Sequence, residues 1–352
     1  MKLAIIGLEQ SGKSTVFNAL TGSDKNITSF GKIEANIATI KVPDARIDEL
    51  TKLYSPNKTV YADIEFIDIP GSINDSADTK IVAATREADA LVFVIRSFKN
   101  ESVLHPLNAI DPNNDLEAIK TGLILSDLSI AEKRVERLKV SVQKVTDKTE
   151  SDKIELRATQ KIVEKLENEE PASNAVLTDI EEKSIRSFQF LTLKPYLVLL
   201  NTSEDEINSE ENIKLLNEIP NSMAMSARIE MEIRTLPEEE RADFLSDIGI
   251  KELSLSSFIL KAYSTLGLIS FFTVGKDEVR AWTISKDLTA QKAAGKIHSD
   301  LERGFIRAET FSYNDLIEFG GEKEVKAKGR FRLEGKEYIV QDGDILNIKF
   351  SV

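Results

Sequence analysis

Gly7-Leu8-Glu9-Gln10-Ser11-Gly12-Lys13-Ser14 sets two glycines, a lysine and a hydroxyl at the spacing of a loop that wraps phosphate. Gly7 and Gly12 let backbone N–H groups turn inward, Lys13 can reach the outer phosphates, and the Ser14 hydroxyl can ligate Mg²⁺. The expected phosphate contacts are therefore Gly7, Gln10, Ser11, Gly12, Lys13, Ser14 and Thr15, with Lys13 as the expected catalytic group. The flanks suit the loop. Leu3-Ala4-Ile5-Ile6 reads as a buried strand and Ser14 to Leu20 as a helix, which is where such a loop must sit.

Further strands are needed to hold the rest of a site. Val60 to Asp68 alternates and then turns apolar, Ala90 to Ile95 is a continuous buried run, and Tyr196 to Asn201 is another. Separated by helical segments, these runs imply an α/β fold with a mostly parallel sheet covered on both faces and ligands at the carboxyl ends of its strands. Three more motifs fall at such ends. In P-loop proteins of the GTPase type, a motif such as Asp68-Ile69-Pro70-Gly71 holds Mg²⁺ through water and offers the glycine N–H to the terminal phosphate, which makes Ser14 and Asp68 the expected metal residues and Gly71 a phosphate contact. Asn201-Thr202-Ser203-Glu204 occupies the place of the base-reading Asn-Lys-x-Asp, and Met225-Ser226-Ala227-Arg228 resembles the loop that closes over the base. Asn201, Glu204, Ser226, Ala227 and Arg228 are thus the expected base contacts, for ATP or GTP with Mg²⁺.

Between the third and fourth strands the pattern changes. Leu128, Ala131, Val135, Leu138, Val142 and Val145 recur in steps of three and four, as in a coiled-coil seam, and Ile154, Ala158, Ile162 and Leu166 form a second stripe. With the polar segment 146–152 between them and Pro171 beyond, they predict an antiparallel helical hairpin. Its dense charges read as a solvated face or as an interaction surface.

The 352-residue chain has no cysteine, which excludes disulfide-linked partners, thiolate metal sites and a cysteine nucleophile. It opens on a core-type strand with no signal-peptide pattern, and no apolar run nears the length of a membrane span, so a cytoplasmic protein without a membrane partner is expected. A net charge of -13 argues against wholesale binding to nucleic acid. From Lys276 to Val352, however, 14 Lys and Arg balance 14 Asp and Glu, so all the net negative charge lies upstream. In that neutral tail Lys323, Lys326, Lys328, Arg330, Arg332 and Lys336 crowd together with Phe331 among them. Lys326, Lys328, Arg330, Phe331 and Arg332 are candidates for contact with RNA phosphates and an exposed base; an ordinary solvated strand pair is the competing reading. Strand-like runs at Ile269 to Phe272, Ala281 to Ile284, Tyr338 to Val340 and Ile345 to Phe350, with a helix from Thr289 to Leu301, make this tail a separate α+β unit.

The chain resembles the YchF subfamily of Obg-related P-loop NTPases. The likeness runs through Val42-Pro43-Asp44-Ala45-Arg46, Thr85-Arg86-Glu87-Ala88-Asp89-Ala90 and Ala131 to Leu138, and is strongest in Phe271 to Gly275, Glu278 to Thr283, Gly304 to Glu309 and Leu333 to Asp344. The resemblance implies a P-loop NTPase domain in two parts, 1–127 and 191–267, a coiled-coil hairpin insertion over 128–190, and a C-terminal TGS domain of β-grasp type over 268–352. It also implies slow hydrolysis of ATP, often in preference to GTP, and association with ribosomes through the TGS domain and the hairpin. Asn201 with Glu204 matches the family's Asn-x-x-Glu. Losing the usual Asp removes the acceptor for the guanine N1 and N2 donors, which leaves the choice of nucleotide open.

Two departures stand out. Where the family carries a first-switch threonine, alignment on Ile33-Glu34-Ala35-Asn36 puts Gly31 and Lys32; Lys32 is either a cation for the terminal phosphate or a solvated lysine, and Thr28 lies nearby. After Gly71 the chain is short and acidic, with Ser72 where Ras-type enzymes place a water-orienting glutamine. A slow nucleotide-driven switch is therefore expected, and a binding module whose hydrolysis has decayed is the alternative.

Overall fold

A computed structural model describes residues 1–22, 36–71, 79–100, 103–143, 149–247 and 254–351. Its strands are β1 (Lys2–Ile6), β2 (Asn36–Lys41), β3 (Lys58–Val60), β4 (Asp63–Asp68), β5 (Ala90–Arg96), β6 (Tyr196–Asn201), β7 (Ser222–Met225), β8 (Leu268–Thr273), β9 (Glu278–Ser285), β10 (Phe305–Ser312), β11 (Arg332–Glu334) and β12 (Asp344–Phe350). The helices up to the middle of the chain are α1 (Lys13–Thr21), α2 (Ala45–Tyr54), α3 (Thr79–Glu87), α4 (Pro112–Val142), α5 (Thr149–Glu167), α6 (Asp179–Ile185) and α7 (Glu210–Glu218). They continue with α8 (Ala227–Thr235), α9 (Glu238–Asp247), α10 (Ser254–Thr265), α11 (Ala290–Ile297), α12 (Ser299–Arg303), α13 (Tyr313–Phe319) and α14 (Glu322–Ala327). The chain divides into two units, one of residues 1–39 and 65–255, the other of 40–64 and 256–352.

The first unit is built on a sheet of order β2-β4-β1-β5-β6-β7, and β4, β1, β5, β6 and β7 run parallel. Every residue of β5 is buried, as are Leu3 to Ile6 of β1 and Leu197 to Asn201 of β6, which is why these strands read as unbroken apolar runs. This is the α/β P-loop architecture expected from the sequence.

Asp111 starts α4 by accepting the N–H groups of Asn113 and Asn114 at 3.1 and 3.2 Å, with Pro112 preset for the first turn. The resulting 31-residue helix serves two cores. Leu116, Ile119 and Leu123 pack on the sheet; Ile124 and Ala131 pack with Ala158, Ile162 and Leu166 of α5. The hairpin is thus a continuation of a sheet-covering helix, and residue 128 falls inside it rather than at a break. Val145 of the expected seam lies outside the described residues.

The second unit carries a sheet of order β11-β10-β12-β8-β9-β3. β8 and β9 form an antiparallel pair, β12 runs parallel to β8, and β10 is antiparallel to both β12 and β11. Ala290, Ala293 and Ala294 of α11 close the core against Phe271, Ile284 and Leu346, giving the β-grasp arrangement. Three local expectations change. The run Val60 to Asp68 is two strands: β3 pairs parallel with β9 in this sheet, while β4 belongs to the first. The helix expected over 289–301 breaks at His298, whose extended backbone (φ -163°) separates α11 from α12. Tyr338 to Val340 forms no strand, only an isolated bridge from Ile339 to Thr289. Among the described residues no helix is long and apolar enough to cross a membrane.

Candidate functional site

The phosphate loop fills the turn from β1 into α1. Gln10 and Gly12 both have positive φ, 58° and 89°, which rolls the intervening amides inward. Glycine is required at both ends of the loop. A Cβ on Gly7 would lie 2.4 Å from the Val94 carbonyl oxygen, and one on Gly12 would lie 2.2 Å from Asn201 Nδ2. Gly12 also serves as the N-cap of α1 with no side chain closing the helix end, so the first amides of α1, from Lys13, Ser14 and Thr15, keep their donors for an anion.

Lys13 is 7% exposed, and its ammonium donates to the carbonyls of Gly7 at 3.2 Å and Leu8 at 2.8 Å. Burial lowers its pKa to about 8, against the opposing pull of Asp68 and Glu9. Asp68 and Glu9 do not offset that desolvation fully, and a bound phosphate would add to their pull. Beside it, Ser14 Oγ donates to Asp68 Oδ2 at 3.0 Å, and Asn36 Nδ2 reaches the same oxygen at 3.4 Å. Asp68 is 2% exposed, burial pushes its pKa upward, and its Oδ1 has no hydrogen-bond partner among the described residues. A hydroxyl and a buried carboxylate with a spare oxygen are the hard donors that Mg²⁺ takes when phosphates and water complete its shell. Among the described residues no three carboxylates or imidazoles gather to hold a metal by themselves. Gly71 follows with φ 76°, and a Cβ there would meet nothing within 4 Å among the described residues.

A cavity of about 510 Å³ lies beside the loop, lined among others by Gly12, Thr15, Asn201, Glu204, Ser226 and Arg228. Asn201 is buried, and both ends of its amide are engaged: Nδ2 donates to the Ser11 carbonyl at 3.1 Å, and Oδ1 accepts from the Ala227 N–H at 3.3 Å. It ties the phosphate loop to the Ser226-Ala227 turn. Glu204 is exposed at the rim, and Arg228, also exposed, pairs with Glu232 at 2.8 Å. Sequence reasoning missed Phe98, Asn100 and Asn36. Phe98 lines the cavity, with the Arg96 guanidinium 4.7 Å from its ring centroid, and so offers a flat apolar wall to a base. The signal was available in that Phe98 lies just past the carboxyl end of β5.

The basic residues of the tail belong to the second unit. Lys326 lies in the last turn of α14 with its ammonium 4.3 Å from the Phe331 ring centroid, and Phe331, half-buried, also stacks on Phe311 at 5.4 Å. Arg330 meets Asp315 at 4.0 Å and Arg332 meets the buried Asp344 at 3.2 Å, while Lys328 is exposed. Thr28, Gly31, Lys32 and Ser72 lie outside the described residues.

A family described as 50S ribosome-binding GTPase matches residues 2–126, and the YchF-GTPase C-terminal family, described as a protein of unknown function, matches 268–351. The ribosome-binding ATPase YchF of Bacillus subtilis is 40% identical over 99% of this chain and 98% of its own. Its namesake from Haemophilus ducreyi is 39% identical over 100% and 99%. The structure of the Schizosaccharomyces pombe YchF GTPase superposes with a TM-score of 0.83 at 31% identity, covering 99% of this chain and 97% of that one. With likeness along its whole length in both sequence and fold, this chain belongs to the YchF family of P-loop GTPases and ATPases.

Proposed function

We propose that this chain is a slow, Mg²⁺-dependent nucleoside triphosphate hydrolase that works as a ribosome-associated switch in the cytoplasm. The observation that carries the reading is the meeting of Lys13, Ser14 and Asp68 at an uncapped helix end beside a base-sized cavity. The bacterial relatives are named as ribosome-binding ATPases, which supports ATP as the nucleotide and the ribosome as the partner. Gly7, Gln10, Ser11, Gly12, Lys13, Ser14 and Thr15 supply the phosphate cradle, and Gly71 offers its amide to the terminal phosphate. Ser14 and Asp68 are the residues that would hold Mg²⁺, which spreads the charge of the outer phosphates when bound.

Lys13 trades its two loop carbonyls for phosphate oxygens, and the anion beside it raises its pKa back toward the ordinary lysine value. It then stabilises charge that builds on the transferring phosphoryl group. Asn201 fixes the distance between loop and base pocket, and Glu204 and Arg228 face the base from the rim. The hairpin and the lysines near Lys326 and Lys328 are the surfaces for ribosomal RNA. There Phe331 is already stacked on one neighbour and capped by another, so phosphate contact suits this surface better than base stacking.

Calorimetric titration with non-hydrolysable ATP and GTP analogues, with and without Mg²⁺, tests the reading. Mg²⁺-dependent binding of the ATP analogue is expected. Tight binding of an analogue together with no phosphate release from ATP or GTP themselves would favour the decayed binding module, and binding of neither analogue would sink both.

A further inference from the structure

Outside the nucleotide site, the first unit holds a second buried ionic group whose bonds join three separate stretches of chain. Asp127 of α4 is 0% exposed, and both of its oxygens are fully used. Oδ1 accepts from Arg86 Nη1 at 2.8 Å and the Leu191 N–H at 3.0 Å; Oδ2 accepts from the Thr192 N–H and Thr192 Oγ1, each at 2.8 Å. Arg86, on α3, also donates to the Gln189 carbonyl at 3.2 Å and the Ser126 hydroxyl at 3.0 Å.

Place gives this group its meaning. α3 is the first element described after Gly71, the residue whose amide is offered to the terminal phosphate. Asp127 lies on α4 where that helix passes from the sheet core, at Leu123, to the hairpin core, at Ala131. The segment Gln189 to Thr192 is where the chain returns from the hairpin toward β6. A guanidinium fork is directional: it holds its partners at one set of angles, so a shift of α3 must either carry α4 and the return segment along or break a buried ion pair. Either course produces discrete states rather than gradual bending.

We propose that the Arg86–Asp127 pair is the latch through which nucleotide occupancy, felt at Asp68 to Gly71 and passed to α3, sets the direction of the helical hairpin. This rests on the nucleotide reading above and adds to it the residues that carry the signal to the partner-facing hairpin. The lever is long because α4 and α5 extend well past the latch, so a small rotation at Asp127 becomes a large displacement at the hairpin end.

The test uses the full chain, whose lack of cysteine permits site-specific spin labels at Lys139→Cys on α4 and Asn208→Cys beyond β6. Their distance distribution is measured by double electron–electron resonance without nucleotide and with a non-hydrolysable ATP analogue plus Mg²⁺. In the labelled parent the analogue is expected to shift the distribution. In Arg86→Lys, which keeps the charge and loses the fork, the shift is expected to vanish while analogue affinity stays within about threefold of the parent. A full shift retained in Arg86→Lys overturns the latch, and so does a parent that binds the analogue without any shift. A parent that binds no analogue overturns the nucleotide reading and the latch with it. Hydrogen exchange on the unlabelled chain needs no variant at Arg86: the amides of Leu191 and Thr192, which bond Asp127, must change their protection when the analogue and Mg²⁺ bind, and unchanged protection overturns the proposal.

Discussion

Two buried aspartates in the same unit have been treated in opposite ways. Asp127 meets four donors, one of them a guanidinium, while among the described residues Asp68 meets two donors on one oxygen and none on the other. Both lie out of water, so the difference is one of completion. A finished ion pair specifies the geometry of its neighbours, whereas an unfinished one keeps coordination in reserve for something that arrives later. The same contrast separates the two cations. Arg86 commits both terminal nitrogens to its surroundings, with Nε alone unpartnered among the described residues, and Lys13 is held by two carbonyls that a phosphate can displace.

The largest effect that sharpens this comparison is on stability. Asp127→Ala strips Arg86 of its counter-charge and two backbone amides of their acceptor, and is expected to cost about 3–5 kcal/mol in urea denaturation. Asp68→Asn removes a carboxylate whose pKa burial raises, so its charged form at neutral pH opposes folding. The nucleotide-free chain with Asp68→Asn is expected to be as stable as the parent or more so. Equal losses at the two sites would erase the distinction.

Next is turnover. Lys13→Ala is expected to lower the rate of phosphate release at saturating nucleotide by about 10²–10³-fold, the range typical of removing one donor to developing charge. Asp127→Asn, if it folds, acts only through positions and should leave the rate much closer to the parent. An unchanged rate in Lys13→Ala would mean the measured activity belongs to another protein.

The unfinished state of Lys13 also has a signature in protons. Its pKa of about 8 in the folded chain lies below the ordinary lysine value of 10.5, so the folded state binds fewer protons between those values. Stability contributed by this group therefore rises with pH from about 8 to 10.5, and its burial counts against folding at lower pH. A triphosphate that restores the charge must draw a proton in. At pH 8.5, binding is expected to take up roughly three quarters of a proton, and at pH 7 almost none, read from calorimetry in buffers of different ionisation enthalpy. Equal uptake at both pH values would place Lys13 away from the phosphates.

Much of this was legible in the sequence because it is written locally. The phosphate loop needs glycine where backbone atoms approach, and the parallel strands need unbroken apolar runs, so Gly7 to Ser14 and the strand at 90–95 announce themselves. What escaped depends on partners far along the chain. Nothing around Val60 says that it pairs with Glu278 to Arg280 of another sheet, and β10 hides in a stretch whose exposed Ile306 and Arg307 break the alternation. Nothing local marks Arg86 and Asp127 for burial, since that is decided by the hairpin's return at Gln189 to Thr192. The split of α11 from α12 turns on His298, whose ring accepts the Asp300 N–H at 3.2 Å and starts a new helix, a capping role for which histidine is not a usual signal.

The smallest effects separate the residues of the base cavity by what they touch. Both polar atoms of the Asn201 amide already have partners, Ser11 at one end and Ala227 at the other. Its removal in Asn201→Ala loosens the loop and the turn together, and is expected to weaken ATP and GTP analogues alike, by about 1–2 kcal/mol or roughly 5- to 30-fold. Glu204 stands exposed at the rim, where it feels the charge of Arg228, and is available to a base. Glu204→Ala should leave the phosphate end untouched and change the ratio of the two affinities rather than their common level, by less than about tenfold. Competition between the analogues for each variant reads both quantities at once. If Asn201→Ala altered the ratio and Glu204→Ala lowered both affinities equally, the roles would be exchanged: the asparagine would be reading the base directly, and the rim carboxylate would be holding the pocket in shape.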